Sequence, residues 1–341
     1  MLDGTGLASN YTITSNSFAI TQRVLSSSGS RLYDATTTAS SSDLTLSNLI
    51  GSETLTLSGS GTLSDANVAD NKTVSLNTLS IADNTGLAAN YTLSGGTHQL
   101  TVNQRPLNAT LSRQYDGTTT SAGSDLSSFD ALQGGETLTL SGSGTSANAN
   151  VANGIAMSSN GNLALVDGTG LASNYSLNST VINITERVLN SSGSKIYDAN
   201  TDALAADITL SNLVSGEALN HSGTATISSA NAGSYTITNL AGITIADGSG
   251  GTASNYTLTG GTHNFTVNPK VVSIQGNKTY DGNTTISSGD ITSITDTVGA
   301  ETLVISSGSG TVSSANAATY ASAAINEGTL TLGDGTGLAS N

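Results

Sequence analysis

The feature that most constrains the fold is an internal repeat with a period of about 82 residues. Two residue pairs, Tyr-Asp and Asn-Tyr, recur along the chain with nearly constant spacing. Their copies are Tyr33-Asp34, Tyr115-Asp116, Tyr197-Asp198 and Tyr280-Asp281, and Asn90-Tyr91, Asn174-Tyr175 and Asn255-Tyr256, with an earlier Asn10-Tyr11. Successive Tyr-Asp copies lie 82, 82 and 83 residues apart. Such a period indicates one small domain repeated in tandem, and not one large core.

Most of the other charged residues follow the same period. A Glu follows each Tyr-Asp pair by about twenty residues, and an Ala-Asn pair comes after it. These markers are Glu53, Glu136, Glu217 and Glu301, and Asn67, Asn150, Asn231 and Asn316. A catalytic site would show as a residue set unique to one copy, so the regularity indicates a structural module and predicts no enzyme activity. We expect most Tyr side chains to fill the small cores, with their hydroxyls bonded to nearby backbone.

The markers divide the chain into four repeats preceded by a short segment. We place repeat 1 at 23–104, repeat 2 at 105–186, repeat 3 at 187–269 and repeat 4 at 270–341. Residues 1–22 match the C-terminal strands of a preceding repeat, and repeat 4 lacks those same strands. Two interpretations stay open. The sequence is a window on a longer array, or residues 11–22 of one molecule complete repeat 4 of another by strand donation.

Within a repeat, apolar residues alternate with polar ones. The runs 54–57, Thr-Leu-Thr-Leu, and 264–267, Asn-Phe-Thr-Val, are examples, and clusters of Gly, Ser, Asn and Asp separate such runs. Alternation is typical of half-buried strands, and those clusters are typical of turns. We predict an all-β fold in which each repeat is a small antiparallel, Ig-like β-sandwich of about five to seven strands. Four repeats in line would form an elongated rod of roughly 150 Å, because a strand rises about 3.3 Å per residue.

The charge balance excludes several partners. The chain has 24 acidic and 9 basic residues, a net charge of −15, and no Cys. Binding to nucleic acid phosphates needs Lys and Arg, so we expect no nucleic acid partner. No apolar run approaches the roughly 18 residues of a membrane span, so we expect no membrane insertion. Without Cys, disulfides and thiolate metal sites are excluded.

The sequence contains candidate residues for calcium binding and for histidine chemistry, and its aromatic content bears on sugar binding. Recurrent Asp residues before Gly-rich turns are weak candidates for calcium ligands: Asp3, Asp83, Asp167, Asp247 and Asp334. Calcium prefers six to eight oxygens and an Asp can instead bind its own turn, so we predict no cofactor, with calcium as the alternative. His98 and His263 share one repeat position without a fixed partner, which favours a structural role. Sugar-binding sites usually stack sugars on aromatic rings, and Trp is absent.

The order of the motifs resembles a known family. Residues 115–119 read Tyr-Asp-Gly-Thr-Thr, followed by Gly-Glu-Thr-Leu at 135–138 and Asp-Gly-Thr-Gly-Leu-Ala-Ser-Asn-Tyr at 167–175. This set is similar to the YDG-type repeat, and the related MBG repeats, of very large secreted bacterial adhesins that resemble filamentous haemagglutinins and travel by two-partner secretion or autotransport. The resemblance extends over essentially the whole chain and implies an extracellular location with no catalytic residues. Gly117 and Gly282 become Ala35 and Ala199 in two copies, which argues against a ligand site that needs bare backbone there.

These observations predict a mechanical function. We expect a structural stalk or fibre segment of a secreted, cell-surface adhesin or biofilm-matrix protein, which assembles with other copies or with neighbouring repeats of a longer chain. The alternative is an adhesive module that binds surface or matrix glycans or calcium. Residues unique to one copy, or calcium-dependent melting, would favour that alternative.

Overall fold

A computed structural model describes residues 4–341, and the chain is nearly all β. Repeat 1 contains β1 (Arg23–Val24), β2 (Ser26–Leu32), β3 (Thr38–Ser40), β4 (Leu44–Ser47), β5 (Leu55–Ser58), β6 (Ser60–Thr62), β7 (Ala69–Thr73), β8 (Ser80–Asp83), β9 (Tyr91–Thr92) and β10 (His98–Asn103). Repeat 2 contains β11 (Arg105–Gln114), β12 (Thr120–Ala122), β13 (Leu126–Phe129), β14 (Leu138–Ser141), β15 (Ser143–Ser146), β16 (Ala152–Ser159), β17 (Ala164–Asp167) and β18 (Tyr175–Thr185). The predicted all-β class is confirmed.

Repeat 3 has the same order of strands, and repeat 4 follows that order without counterparts of the short first strand and of the last two strands. Repeat 3 contains β19 (Arg187–Val188), β20 (Asn190–Ile196), β21 (Asp202–Leu204), β22 (Ile208–Ser211), β23 (Leu219–Ile227), β24 (Gly233–Asn239), β25 (Ile243–Asp247), β26 (Tyr256–Thr257) and β27 (His263–Asn268). Repeat 4 contains β28 (Ser273–Gly276), β29 (Thr285–Ser287), β30 (Ile291–Thr295), β31 (Leu303–Ser307), β32 (Ser309–Val312), β33 (Ile325–Asn326) and β34 (Thr331–Asp334).

The helical elements are all single 3₁₀ turns. They are Ala8–Asn10, Ser41–Asp43, Ala88–Asn90, Gly123–Asp125, Ala172–Asn174, Ala205–Asp207, Ala253–Asn255, Ser288–Asp290 and Ser322–Ala324. None of these turns, in the part of the chain that the structure describes, approaches the length or apolarity that crossing a bilayer requires.

Three repeats have more strands than the expected five to seven because some segments serve two sheets. In repeat 3, β23 pairs with β25 through its first half and with β21 and β24 through its second half. In repeat 1 the same segment is divided into β5 and β6 at Gly59, whose φ is +81°. The equivalent Gly223 of repeat 3 has a φ of +103° within the continuous β23, and glycine adopts this conformation without a steric penalty.

The sheets contain parallel strand pairs in addition to the predicted antiparallel ones. The last strand of a repeat lies between two other strands, the first long strand and a strand from the middle of the repeat. In repeat 1, β10 therefore pairs parallel with β2 and antiparallel with β7. In repeat 3, β27 pairs parallel with β20 and antiparallel with β24. The first and last strands are joined by the whole repeat, so no tight hairpin forces them to run in opposite directions.

The inserted last strand carries the core of its repeat. Its alternate side chains are 0–1% exposed: Leu100 and Val102 in β10, Ile182 and Ile184 in β18, and Phe265 and Val267 in β27. The predicted alternation therefore points one face of each last strand inwards. Gly193 on β20 leaves room for this core, because a Cβ there would come within 2.8 Å of the Phe265 ring.

Residues 4–22 do not contain the strands that the repeat pattern predicts for them. Their one regular element is the turn Ala8–Asn10, and Phe18 and Ile20 are 92% and 99% exposed. A strand needs a hydrogen-bonding neighbour. In repeats 1 and 3 the last strand pairs with strands of its own repeat, and residues 4–22 pair with no strand of the described chain. Residues 1–3 lie outside the described residues.

The chain divides into two compact units, and the division crosses repeat 2. The first comprises the residues up to Arg113, Thr119–Asn148 and Gly154–Asn183. The second comprises Gln114–Thr118, Ala149–Asn153 and Ile184–Asn341. Two loops of repeat 2 thus belong with repeat 3, and each repeat-to-repeat contact described below lies within one unit.

Candidate functional site

In repeats 1–3, the tyrosine of the Tyr-Asp pair contacts a glutamate of the following repeat. Tyr33 donates its hydroxyl hydrogen bond to Oε1 of Glu136 at 2.5 Å. Tyr115 donates to Glu217 at 2.6 Å, in the second unit. Tyr197 donates to Glu301 at 2.5 Å, also in the second unit. Two markers that the sequence places about 103 residues apart therefore meet at each contact.

The tyrosine of the Asn-Tyr pair binds the same glutamate from within the following repeat. Tyr175 donates to Oε2 of Glu136 at 2.6 Å, so one carboxylate accepts from two phenols. The rings of Tyr33 and Tyr175 meet edge to face, with centroids 5.3 Å apart at 77°. The edge of one ring carries partial positive charge and the face of the other carries negative charge, which favours this geometry.

The contact between repeats 2 and 3 reproduces this arrangement in the second unit. Tyr256 donates to Oε2 of Glu217 at 2.6 Å. The rings of Tyr115 and Tyr256 are 5.4 Å apart at 79°. We call each set of two tyrosines and a shared glutamate a Tyr–Glu–Tyr junction. In repeat 1, Glu53 accepts from Tyr91 alone among the tyrosines of the described residues.

Burial and the carboxylate both oppose ionisation of the junction phenols. Burial first, and then the hydrogen bond to Glu217, raise the pKa of Tyr115 and of Tyr256 to about 12. The same two causes, with Glu136 as the partner, raise the pKa of Tyr175 to about 12 and that of Tyr33 further. The phenols thus remain neutral donors to the carboxylate over the physiological pH range.

The asparagine of the Asn-Tyr pair forms the second half of the contact. Asn174 is 1% exposed, its Oδ1 accepts from the backbone N–H of Val68 at 2.9 Å, and its Nδ2 donates to Asn67 Oδ1 at 3.0 Å. Val68 and Asn67 belong to repeat 1. A buried amide with both ends satisfied holds a specific geometry, because leaving either end unpaired is costly.

The asparagine contact also recurs. Asn255, again 1% exposed, accepts from Val151 N–H at 2.9 Å and donates to Asn150 Oδ1 at 3.0 Å. Asn341 accepts from Ala232 N–H at 2.9 Å and donates to Asn231 Oδ1 at 3.0 Å. All four marker types, Tyr-Asp, Glu, Ala-Asn and Asn-Tyr, therefore converge on one inter-repeat interface.

The sequence predicts that the tyrosine hydroxyls bond to nearby backbone, and in the structure they bond to a carboxylate as well. Tyr175 accepts from Gln133 N–H at 3.1 Å and Tyr256 from Val214 N–H at 3.0 Å, but each also donates to a carboxylate. Within-repeat reasoning missed the glutamate partner. Each Tyr-Asp pair is followed by a Glu of its own repeat, so the spacing of the markers gives no signal of the partner in the following repeat.

The aspartate of the Tyr-Asp pair stabilises the turn that presents the tyrosine. Asp34 accepts from Thr36 N–H at 3.0 Å and from Arg31 Nη1 at 2.8 Å. Asp198 and Asp281 pair with Lys195 and Lys278 at 2.8 and 2.9 Å, and Asp116 accepts from Thr118 N–H at 2.9 Å. The lysine hydrogen bond lowers the pKa of Asp281. The cations two residues before Tyr33, Tyr197 and Tyr280 thus stabilise this turn.

The next residue of the turn is left-handed in every repeat. Gly117 and Gly282 have φ of +78° and +80°, and Ala35 and Ala199 have +60° and +63°. Alanine tolerates this conformation at a cost of roughly 1–2 kcal/mol. At Gly117 a Cβ would also lie 2.9 Å from Val214 Cγ1, so packing and the positive φ both favour glycine there.

The four calcium candidates that the structure describes each bind a turn. Oδ1 of Asp83, Asp167, Asp247 and Asp334 accepts from the backbone N–H of Ala88, Ala172, Ala253 and Ala339 at 2.6–2.7 Å. Asp3 lies outside the described residues. Among residues 4–341, no group of three or more His, Asp and Glu side chains comes together as metal ligands would.

His98 and His263 have fixed partners, contrary to the expectation from sequence. His98 Nδ1 lies 2.8 Å from Ser27 Oγ, and its Nε2 lies 2.8 Å from the Leu93 carbonyl. Because a carbonyl only accepts, Nε2 carries the proton and Nδ1 accepts from the serine. His263 makes the same pair of bonds to Ser191 and Leu258 at 2.9 and 2.8 Å. We call each pair a Ser–His clasp.

Repeat 2 replaces both members of the clasp together. Ala109 occupies the position of Ser27 on the first strand, and Thr180 occupies the position of His98 on the last. The two His side chains are 5% and 6% exposed, and both of their ring nitrogens are hydrogen bonded. The clasp therefore ties the first strand to the segment that precedes the last strand.

Comparison with known families agrees with the repeat organisation. The YDG domain matches three successive segments, residues 19–99, 97–182 and 185–265, which together span well over half of the chain. No curated protein sequence matches the chain. The chain therefore belongs to the YDG-domain family and carries that domain three times in tandem.

Proposed function

We propose that this chain is a structural segment of an extracellular bacterial adhesin or biofilm-matrix protein, where it serves as part of a stalk or fibre. One observation carries the proposal: shared Tyr, Glu and Asn markers of consecutive repeats meet one another at the contacts between those repeats. Tyr33, Glu136 and Tyr175 meet at one such contact, and Tyr115, Glu217 and Tyr256 meet at the next.

The energetics of the junction support a mechanical role. When two repeats separate, the shared carboxylate loses the hydrogen bond from the phenol of the preceding repeat, and a hydrogen bond to a charged group contributes about 1.5–3 kcal/mol. Tandem repeats are stabilised by such nearest-neighbour terms in addition to their own cores. Coupling of this kind resists bending between neighbours, and a stalk needs that resistance.

The surface chemistry supports an extracellular location and homotypic partners. Charged residues are only 10% of the chain, with a net charge of −15, and the strands present Thr, Ser and Asn outwards. Such a surface is well hydrated, and its widely spaced charges leave stretches of uncharged polar side chains on which neighbouring chains can meet. We propose that the partners are neighbouring repeats and other copies of the chain, and we assign it no reaction and no cofactor.

Electron microscopy of the purified chain tests this proposal. We expect elongated, beaded particles of roughly 150 Å, from a rise of about 3.3 Å per strand residue. Glu136→Ala with Glu217→Ala should give bent particles, because both complete junctions lose their acceptor. Glu186→Ala with Glu327→Ala removes two exposed carboxylates as a control and should leave the particles straight. Compact particles, or melting that depends on calcium, would overturn the proposal.

A further inference from the structure

The first and last long strands of repeats 1 and 3 lie side by side and run in the same direction. In repeat 1, residues 27–32 of β2 pair one by one with residues 98–103 of β10. In repeat 3, residues 191–196 of β20 pair with residues 263–268 of β27 in the same register. Each of these repeats is therefore closed by a parallel ladder of six residue pairs between the strand that begins it and the strand that ends it.

Further hydrogen bonds extend this ladder beyond both ends of the two strands. In repeat 1, Leu25 N–H donates to the Thr92 carbonyl at 2.8 Å, and Tyr33 N–H donates to the Asn103 carbonyl at 2.9 Å. The short strands β1 and β9 are also paired in parallel. Repeat 3 has the equivalent bonds at 2.8 and 2.9 Å, from Leu189 to Thr257 and from Tyr197 to Asn268. The parallel contact thus accompanies the chain from the start of the repeat to its Tyr-Asp turn.

The path of the chain makes this ladder the part of the repeat that a pull along the chain loads. The chain enters repeat 1 at the N-terminal end of β2 and leaves it at the C-terminal end of β10. A single residue, Gln104, separates β10 from β11. Because β2 and β10 are parallel, the points of entry and exit lie at opposite ends of the ladder. A force between these points therefore draws the two strands past each other along their own axes.

The direction of the force decides how many hydrogen bonds resist it. The bonds of a parallel ladder are evenly spaced, so sliding one strand along the other lengthens and tilts all of them together. A hydrogen bond weakens steeply when its angle departs from linearity, and the whole ladder must reach that point before the strands separate. Strands that are pulled apart from one shared end instead lose their bonds one at a time. Sliding therefore needs the larger force.

Side chains reinforce the ladder against sliding. The Ser–His clasp of repeat 1 joins Ser27 on β2 to His98 on β10 at 2.8 Å, and the clasp of repeat 3 joins the same two strands at 2.9 Å. Leu100 and Val102 hold β10 in the core, where they are 0% and 1% exposed. Displacement of β10 along its axis would break the clasp and move both apolar side chains out of their packed positions.

We propose that the parallel ladder between the first and last long strands is a tensile clamp, which keeps repeats 1 and 3 folded when the chain is pulled along its length. This inference rests on the proposed stalk function, because a stalk that holds two surfaces together is pulled from its ends. It adds a second kind of resistance. The Tyr–Glu–Tyr junctions oppose bending between repeats, whereas the clamp opposes extension of a single repeat.

Optical tweezers with handles on two engineered Cys residues test the clamp in the full chain. The chain has no Cys, so each pair of substitutions fixes where the force acts. Thr21→Cys with Gln104→Cys pulls the ladder of repeat 1 in the sliding direction. Leu32→Cys with Gln104→Cys pulls the same ladder open from one end, because Leu32 pairs with Asn103, the neighbour of Gln104. The three substituted residues are exposed, so the fold should be unchanged.

The two directions of pulling should give different unfolding forces. At one loading rate, we expect a force several-fold higher for the sliding pair of handles than for the opening pair. The gain in length identifies repeat 1 as the part that unfolds, since about 80 and about 70 residues at up to about 3.6 Å each give roughly 290 and 250 Å. Equal forces in the two directions, or a larger force for opening, would overturn the inference.

Removal of the clasp separates a role in the clamp from a role in stability alone. Ser27→Ala should lower the sliding force and leave the opening force nearly unchanged, because the clasp lies at the end of the ladder far from Leu32 and opens last. Ser28→Ala, an exposed neighbour on β2, is the matched control and should change neither force. An equal fall of both forces in Ser27→Ala would overturn the part of the clasp in the clamp.

The clamp and the stalk function can fail separately. Equal sliding and opening forces, together with elongated particles in electron micrographs, would remove the clamp and leave the stalk function standing. Compact particles would remove the stalk function, and the comparison of the two forces within repeat 1 would still decide whether the ladder resists tension.

Discussion

Repeats 3 and 4 have the same marker residues in different surroundings. Tyr197 of repeat 3 is 6% exposed and bonded to Glu301, whereas Tyr280, its equivalent in repeat 4, is 68% exposed. Repeat 3 holds Phe265 and Val267 in its core, and repeat 4 has an open groove at the same place. The comparison teaches that a YDG repeat is completed by two partners, its own last strand and the glutamate of the following repeat.

The largest expected effect distinguishes a docked last strand from an undocked one. Phe265→Ala should lower the free energy of unfolding by about 3–5 kcal/mol, because it removes a fully buried ring. Phe18→Ala, at the equivalent position of the exposed segment, should change it by less than about 0.5 kcal/mol. Urea unfolding of dilute samples measures both. Equal effects would contradict the assignment of residues 11–22 as an undocked strand.

The second largest expected loss of stability distinguishes a glutamate that accepts from two tyrosines from a glutamate that accepts from one. Glu136→Ala should destabilise the chain by about 2–4 kcal/mol, since it leaves two buried phenols without their acceptor. Glu53→Ala removes the acceptor of Tyr91 alone and should cost clearly less. Thermal unfolding of the two variants side by side gives the difference, and a larger loss for Glu53→Ala would mean that the inter-repeat bond contributes little.

Alkaline pH should weaken the same junctions. A tyrosine ionises near pH 10 in an unfolded chain. The folded pKa of Tyr115, Tyr175 and Tyr256 is raised to about 12. Because the folded value is the higher one, the stabilisation is fully present below about pH 10 and is lost as the pH rises through about 12. Unfolding free energies measured across that window should fall, and they should fall less for Tyr175→Phe, which cannot ionise. A flat profile would contradict the buried phenol–carboxylate contact.

The smallest expected loss of stability concerns the Ser–His clasp, which repeats 1 and 3 have and repeat 2 lacks. Ser27→Ala should cost about 1–2 kcal/mol, because it leaves Nδ1 of a buried His98 without a donor. Adding His98→Thr copies the pair that repeat 2 uses, Ala109 and Thr180, and should recover part of the loss. Recovery is measured as a double-mutant cycle. Strict additivity of the two substitutions would show that Ser27 and His98 are not coupled.

The fold class and the residues of the junction follow from the sequence. Tyr33, Glu136 and Asn174 are repeat markers, because their period is visible along the chain. Their contact does not follow from that period, because the partners lie in successive repeats. The parallel pairing of β2 with β10 does not follow from it either, since strand direction in a sheet depends on the path of the whole intervening chain.

The amino-acid pattern by itself determined the period, the strands and the inward face of each strand. Alternation of Leu, Val, Ile and Phe with Thr and Asn sets that face locally, because successive side chains of a strand point to opposite sides. Only the tertiary structure decided which strand lies beside which, and which glutamate each tyrosine reaches. Those choices depend on backbone groups and cavities that neighbouring repeats supply. Tyr197 and Tyr280 therefore begin the same motif, and one is buried while the other faces solvent.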